Sequence, residues 1–94
     1  MNIENILKEK KGTIVDVRTP AEFSEGNVSG SINIPLHLIT VRLDELKSLN
    51  APLILCCASG GRSAQAHQYL SQSGLDCHNA GSWRDVEYLV SQIA

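Results

Sequence analysis

The stretch that decides the fold is Leu53-Ile54-Leu55-Cys56-Cys57-Ala58-Ser59-Gly60-Gly61-Arg62-Ser63. It opens with a continuous apolar run of strand length, and a run without alternation is typical of a central parallel strand covered on both faces. A pair of glycines then breaks the run, and residues 62–73 carry apolar side chains at helical spacing. A buried strand followed by a loop and a helix is the repeating unit of an α/β sheet.

The rest of the chain repeats this alternation of strands and helices. Short apolar runs predict strands over residues 13–17, 31–34 and 75–78, in addition to the strand over 53–56. Apolar residues at helical spacing predict helices over 3–10, 38–49, 62–73 and 85–93, with a helical turn that starts at Pro20. We therefore predict an α/β fold with a mainly parallel sheet and helices on both faces. The length of 94 residues fits a single domain over residues 1–94.

Charge and hydropathy narrow the range of partners. The formal net charge is -2, which gives no indication of a nucleic-acid partner. No stretch reaches the roughly 18 apolar residues that a membrane span needs, and the first residues lack the apolar segment of a signal peptide. We therefore expect a cytoplasmic protein with no membrane partner, although an exported protein whose signal has been removed would have the same sequence.

The cysteines indicate a reactive thiol. There are three, Cys56, Cys57 and Cys77. Neighbouring cysteines rarely bridge each other because the required geometry strains the backbone, and no cysteine or histidine stands at zinc-binding spacing. We expect no disulfide framework, no metal and no other cofactor, and we expect Cys77 to be a small core residue. A free thiol in a reducing compartment is the interpretation that this leaves.

The loop after the central strand has the composition of an anion site built around a nucleophile. Cys57 precedes a predicted helix, whose unpaired N–H groups and dipole stabilise a thiolate and lower its pKa. Gly60 and Gly61 allow positive φ, so the loop can curl with its N–H groups inward. The guanidinium of Arg62 fits an oxyanion. This pattern predicts attack on an anionic substrate and a covalent intermediate such as a persulfide or a thiophosphate ester.

Two separate motifs, built on Asp16-Val17-Arg18 and on Cys57-x-Ser59-Gly60-x-Arg62-Ser63, resemble those of the rhodanese family, the thiosulfate sulfurtransferases. The first consists of Asp16-Val17-Arg18, Glu22-Phe23, Gly26, Val28, Gly30-Ser31 and Asn33-Ile34-Pro35. The second is Cys57-x-Ser59-Gly60-x-Arg62-Ser63, and a weaker third piece, Gly74-Leu75 with Asn79-Ala80-Gly81, is similar to small phage-shock-type rhodaneses. Asn27 and Ser82 depart from the usual His and Gly of these patterns. The resemblance covers residues 13–93 and implies a rhodanese-like domain with about five strands in its central sheet.

The resemblance also implies a role for each matching residue. Cys57 would be the catalytic nucleophile that becomes a persulfide, and Glu22 would be a surface salt-bridge partner. The backbone amides that would hold the terminal sulfur belong to Ala58, Ser59, Gly60, Gly61 and Arg62. Arg62 would also bind the oxyanion of the donor. The residues that would support the loop are Asp16, Arg18 and Ser63.

The activity that the resemblance implies is sulfur transfer. Sulfane sulfur would pass from thiosulfate or a persulfide donor to a thiol or cyanide acceptor. The expected partners are a small anionic sulfur donor and a thiol acceptor, such as a small thiol or a thioredoxin-like protein. An alternative is a persulfide carrier that hands its sulfur to a protein partner.

Cys56 leaves a third function open. Five residues separate Cys56 from Arg62, which is the spacing of tyrosine and dual-specificity phosphatases, and some of these share the rhodanese fold. A phosphatase or arsenate reductase would then use Cys56 as its nucleophile. Leu55 stands where such enzymes usually have His, and the motif matches better from Cys57. We therefore predict that Cys56 is a buried strand residue, with a resolving thiol as the alternative.

Overall fold

A parallel sheet forms the centre of the protein. The structure, a computed structural model, describes residues 2–93, so the ends of the predicted domain, Met1 and Ala94, lie outside the described residues. Within residues 2–93 the strands are β1 (Thr13–Asp16), β2 (Ile32–Asn33), β3 (Leu53–Cys57) and β4 (Cys77–Ser82). These four strands are all parallel and lie in the order β2-β1-β3-β4. The sequence predicted about five strands, and the parallel α/β architecture is confirmed.

Helices cover both faces of this sheet, as predicted. They are α1 (Ile3–Lys8), α2 (Pro20–Glu25), α3 (Leu43–Ser48), α4 (Gly61–Gln72) and α5 (Trp83–Ile93), with a single 3₁₀ turn over Leu36–Leu38 in the described part of the chain. Helices α3 and α4 bury apolar residues against one face, and α1 and α5 do so against the other. None of the helices in residues 2–93 is both long and apolar enough to cross a membrane.

The pleat of β3 divides the core between the two faces. Leu53, Leu55 and Cys57 belong to the apolar cluster on the α4 side. Cys56 belongs to the cluster on the other side, together with Val86 of α5. All five residues of β3 are buried, because neighbouring residues in a strand point to opposite faces and both faces are covered. The two adjacent thiols therefore lie on opposite sides of the sheet.

Three predicted elements differ most from the observed ones. The helix predicted over 38–49 is a 3₁₀ turn followed by the shorter α3. The strand predicted over 75–78 instead covers 77–82, because the backbone of Asn79-Ala80-Gly81 pairs with β3 without the apolar pattern that identifies a strand. A shift of register opposite Leu55 and Cys56 accommodates Ala80 as an extra residue. The last helix begins at Trp83 rather than Asp85, and the Ser82 hydroxyl accepts a hydrogen bond from the Arg84 N–H (3.2 Å).

The topology brings the predicted site residues to one edge of the sheet. Asp16 is the last residue of β1 and pairs in register with Cys56 of β3. Cys57 ends β3, and after three loop residues Gly61 begins α4. The carboxyl ends of parallel strands meet at the same edge, where α/β folds bind their ligands. The Cys57 loop and the Asp16-Arg18 segment therefore share that edge.

Candidate active site

Cys57 lies inside a loop that curls around its sulfur. The residue is 1% exposed and ends β3. The backbone N–H of Gly60 donates to Sγ at 2.9 Å, and the hydroxyl of Ser63 lies 3.4 Å from it. Ala58 and Ser59 form the exposed tip of the loop. The structure therefore places the Cys57 sulfur in a cradle formed by this loop and the start of α4, beside the Gly60 N–H and the Ser63 hydroxyl.

The curl of the loop depends on Gly60. Its φ is +105°, in the left-handed region that L side chains rarely adopt. A β-carbon there would lie 3.4 Å from the Cα of Gly81, so the loop packs closely against β4. Gly61 is instead the first helical residue of α4 and has no positive φ. Both glycines were expected to give the loop its freedom to adopt positive φ, but only Gly60 uses it, because the helix starts one residue earlier than predicted.

Hydrogen bonds favour the thiolate form of Cys57. Burial by itself would raise the pKa of this thiol. The hydroxyl and N–H of Ser63 and the N–H groups of Gly60 and Ser59 outweigh burial, so the pKa is lowered from its ordinary value. These donors stabilise negative charge on sulfur, which is the form that acts as a nucleophile.

Ser63 connects the thiol to strand β4. The side chain is fully buried, and its hydroxyl donates to Asn79 Oδ1 at 2.6 Å. Asn79 also donates from Nδ2 to the Gly60 carbonyl (3.3 Å) and accepts from the Gly81 N–H (3.0 Å). Sequence reasoning assigned no role to Asn79. The signal that could have found it is the Asn79-Ala80-Gly81 piece of the third motif.

The Asp16–Arg18 pair forms a buried ionic unit beside the loop. Asp16 is 0% exposed and Arg18 is 4% exposed. The guanidinium of Arg18 donates to both carboxylate oxygens of Asp16, the shortest contact being 2.7 Å. It also donates to the carbonyls of Gly26 (2.6 Å) and Glu22 (3.2 Å). Within the described residues, the Arg18 guanidinium donates only to the Asp16 carboxylate and to these two backbone carbonyls. This geometry suits the predicted role of the pair, which is to support the loop.

Trp83 lies over this ionic unit. The Arg18 guanidinium is 4.6 Å from the centre of the indole ring, and that of Arg84 is 5.2 Å away. Both distances are within the range of cation–π contacts. A cleft of about 330 Å³ opens here beside the Cys57 loop. Its lining consists of Arg18, Glu22, Glu25, Gly26, Ala58, Trp83 and Arg84.

Arg62 is paired with Glu22 rather than free. The two terminal nitrogens of Arg62 donate to the two carboxylate oxygens of Glu22, at 2.6 and 3.0 Å. The hydrogen bonds from Arg62, followed by one from the Thr19 backbone, lower the pKa of Glu22 to about 2. Glu22 was predicted to be a salt-bridge partner, but the sequence did not show that its partner is the arginine of the loop.

Cys56 does not share the cradle. It is 0% exposed and packs in the cluster on the opposite face of the sheet. Burial, followed by the nearby charge of Asp16, raises the pKa of this thiol to about 12. A nucleophile must be ionised and must reach the anion site, so this geometry does not support the phosphatase or arsenate reductase hypothesis. Burial also rules against a resolving role for Cys56.

Other potentially reactive side chains lie away from the cradle. Cys77 is 7% exposed, and burial raises the pKa of its thiol. Among residues 2–93, no group of three or more His, Cys, Asp or Glu side chains is arranged to hold a metal ion.

The fold and the site define the class of protein: a parallel α/β domain with a buried thiol at the carboxyl edge of its sheet. Sequence comparison then identifies the family within this class. The family model of the rhodanese-like domain matches residues 2–87. The chain therefore belongs to the rhodanese-like family.

Named relatives are similar to this chain over most of its length. A protein named sulfurtransferase from Allochromatium vinosum is 41% identical over 65% of this chain and 56% of its own. The thiosulfate sulfurtransferase PspE of Escherichia coli (strain K12) is 34% identical over 77% of this chain and 71% of its own. The crystal structure of a rhodanese-related protein from Thermoplasma volcanium superimposes with a TM-score of 0.74 at 32% identity. That match covers 86% of this chain and 80% of the other.

The first relatives are longer than the part of them that this chain matches. The chain spans between 51% and 61% of the length of the first three. Membership of the family is therefore shown, whereas the activity, the substrates and the partners of the whole protein belong to the proposal below.

Proposed function

We propose that this protein is a sulfurtransferase that carries sulfane sulfur as a persulfide on Cys57. The sulfur comes from thiosulfate or from a persulfide donor and passes to a thiol or to cyanide. The observation that carries this proposal is the cradle itself. The Cys57 sulfur accepts the Gly60 N–H at 2.9 Å within a loop whose donors lower the thiol pKa.

The reaction needs no oxidant or reductant beyond the donor and the acceptor. The Cys57 thiolate attacks the outer sulfur of thiosulfate, a new S–S bond forms, and sulfite leaves with the electron pair of the broken S–S bond. In the second half an acceptor thiolate attacks the outer sulfur of the persulfide, and Cys57 leaves as the thiolate. The amides of Ala58 through Arg62 are proposed to hold the terminal sulfur, because a persulfide anion needs the same inward N–H donors as the thiolate.

The proposal includes a thiol acceptor in a reducing, cytoplasmic setting. All three cysteines are free, as is usual in that compartment. A persulfide carrier for a protein partner uses the same intermediate and differs only in its acceptor. A small thiol and a thioredoxin-like protein, offered in turn to the loaded protein, separate the two hypotheses by the rate at which each removes the sulfur.

The test is the intact mass of the wild type, Cys57→Ser and Cys56→Ser after incubation with thiosulfate and, separately, with a small persulfide. We expect a gain of one sulfur atom, removed by reductant, in the wild type and in Cys56→Ser but not in Cys57→Ser. Cys56→Ser is the matched control, since it replaces the adjacent thiol on the other face of the sheet.

A wild type that gains no sulfur from either donor would contradict the proposal. So would a gain that survives Cys57→Ser and disappears in Cys56→Ser. Turnover of an aryl phosphate that depends on Cys56 would revive the phosphatase hypothesis in place of this one.

A further inference from the structure

The sequence predicted that Arg62 binds the oxyanion of the donor, but a carboxylate already occupies its guanidinium. Glu22 uses both carboxylate oxygens, and Arg62 uses both terminal nitrogens, at 2.6 and 3.0 Å. This two-point geometry is the strongest that an Arg–carboxylate pair adopts. The Glu22 carboxylate therefore stands where the sulfonate of a bound thiosulfate would have to make its contacts with Arg62.

Glu22 is also held from its own helix. It is the third residue of α2, and its Oε1 accepts from both the N–H and the hydroxyl of Thr19, each at 3.1 Å. The Glu22 N–H donates to the Thr19 hydroxyl in return (3.3 Å), which completes a capping box. These contacts fix the carboxylate in its position against Arg62. An anion that competes for Arg62 must therefore displace a carboxylate that contacts with Thr19 already hold in place.

The remaining charges around the cleft leave little to attract an anion. Arg18 is committed to Asp16, with which it forms a buried ion pair. Arg84 is exposed, so solvent and salt screen its charge, and the acidic residue Glu25 lines the same cleft. The charged residues that line the cleft are Arg18, Glu22, Glu25 and Arg84. With Asp16 and Arg62, the ion-pair partners of Arg18 and Glu22, they make three guanidinium groups and three carboxylates, so the charges balance.

We infer that Glu22 is a specificity-determining residue, which disfavours dianionic donors such as thiosulfate and favours a persulfide on an uncharged thiol. This inference rests on the proposed function and narrows its donor. A persulfide presents its outer sulfur to the backbone amides of the loop and has no oxyanion that requires Arg62. The Cys57 thiolate attacks that sulfur, the S–S bond of the donor breaks, and the donor thiolate leaves with the electron pair. The proton of the donor stays on the transferred sulfur.

The experiment compares the rate of persulfide formation on Cys57 with two donors, measured by quenched intact mass. The donors are thiosulfate and the persulfide of 2-mercaptoethanol. We expect Glu22→Gln to raise the second-order rate constant with thiosulfate about fivefold to tenfold, the range for one freed charged hydrogen-bonding group that is partly exposed. With the persulfide, which has no sulfonate to contact Arg62, we expect a change of less than about twofold. Gln keeps an oxygen that can accept from Thr19, so the cap is retained.

Three further variants distinguish the release of Arg62 from a change in net charge or in the structure of the protein. Glu45→Gln breaks a similar pair, with Arg42 (2.7 Å), and changes the net charge equally; it should leave both rates unchanged. Glu25→Gln removes a charge from the cleft without freeing Arg62 and should have a clearly smaller effect than Glu22→Gln. In the double variant Glu22→Gln with Arg62→Gln, the gain with thiosulfate should disappear.

Several outcomes would overturn the inference. An equal change with both donors would mean that Glu22 acts only through the structure of the loop. An effect of Glu25→Gln as large as that of Glu22→Gln would mean that the net charge of the cleft, rather than the ion pair, sets the preference. A gain that persists in the double variant would exclude Arg62. A wild type that accepts sulfur from neither donor overturns the proposed function, and the inference with it.

Discussion

Ser63 has one hydroxyl proton and three acceptors within reach. Asn79 Oδ1 is 2.6 Å away, the Gly60 carbonyl 3.2 Å, and the Cys57 sulfur 3.4 Å. The short contact holds the proton toward Asn79 when Cys57 is a thiol. When Cys57 is a thiolate, the hydroxyl can turn toward it, and the hydroxyl and N–H of Ser63 both lower the pKa of the thiol. The side chain therefore responds to the charge on the sulfur.

This arrangement gives a prediction for Ser63→Ala. Without the hydroxyl, the pKa of Cys57 rises, because burial is then opposed only by backbone donors. The rate of alkylation by iodoacetamide follows the thiolate fraction, so its midpoint on the pH axis should move upward, and the rate at neutral pH should fall. Cys57→Ser gives the background rate at which the other two thiols are alkylated. A midpoint that does not move would show that the backbone alone sets the thiol pKa.

The loop between β3 and α4 is an element whose shape depends on Gly60. Ala at this position must adopt a φ of +105°, which costs about 1–3 kcal/mol for a residue with a β-carbon. If the loop relaxes to avoid that strain, the Gly60 N–H turns away from the Cys57 sulfur. We expect Gly60→Ala to slow persulfide formation by at least about tenfold, as measured by intact mass against time.

Gly74→Ala is the matched control for that strain. Gly74 lies just beyond the other end of α4, has a φ of +89°, and has open space where a β-carbon would be placed. The variant should lose a similar amount of stability and keep its rate of persulfide formation. Equal loss of rate in both variants would show that the general stability of the protein, and not the cradle, limits the reaction.

At the level of the whole molecule, the Asp16–Arg18 pair connects parts that are distant in the sequence. It joins the end of β1 to the carbonyls at the end of α2 and to the indole of α5. We expect Asp16→Asn to lower the free energy of unfolding by about 3 kcal/mol, because it leaves the Arg18 charge buried without its counter-ion. Urea denaturation measures this as a lower midpoint with an unchanged slope.

Glu45→Gln serves as the comparison, since it breaks a surface pair and should cost less than about 1 kcal/mol. If Asp16→Asn costs no more than this surface variant, the buried pair does not hold these parts of the fold together.

The sequence predicted features that short-range signals specify. Apolar composition identified β3, and the glycines with the following helix identified the cradle around Cys57. It could not show that Glu22 and Arg62 meet, because 40 positions separate them and many acidic residues could have been the partner. It also missed Asn79, because residue type alone does not show that this side chain meets Ser63, which lies 16 positions away in the sequence. Long-range geometry is the part that only the fold supplies.

Under the proposed function, the opposite orientation of Cys56 and Cys57 also limits how sulfur can leave Cys57. A thiolate beside a persulfide can attack its inner sulfur and form a disulfide. The outer sulfur then leaves as hydrosulfide and is not transferred to an acceptor. Here the pleat of β3 keeps the neighbouring thiol on the far side of the sheet, and burial keeps it protonated, with a pKa of about 12. Under the proposed function, a persulfide on Cys57 would therefore not be lost to Cys56 by this route. On the same proposal, the sulfur would stay on Cys57 until an external acceptor arrives, and the protein would hold sulfur between encounters.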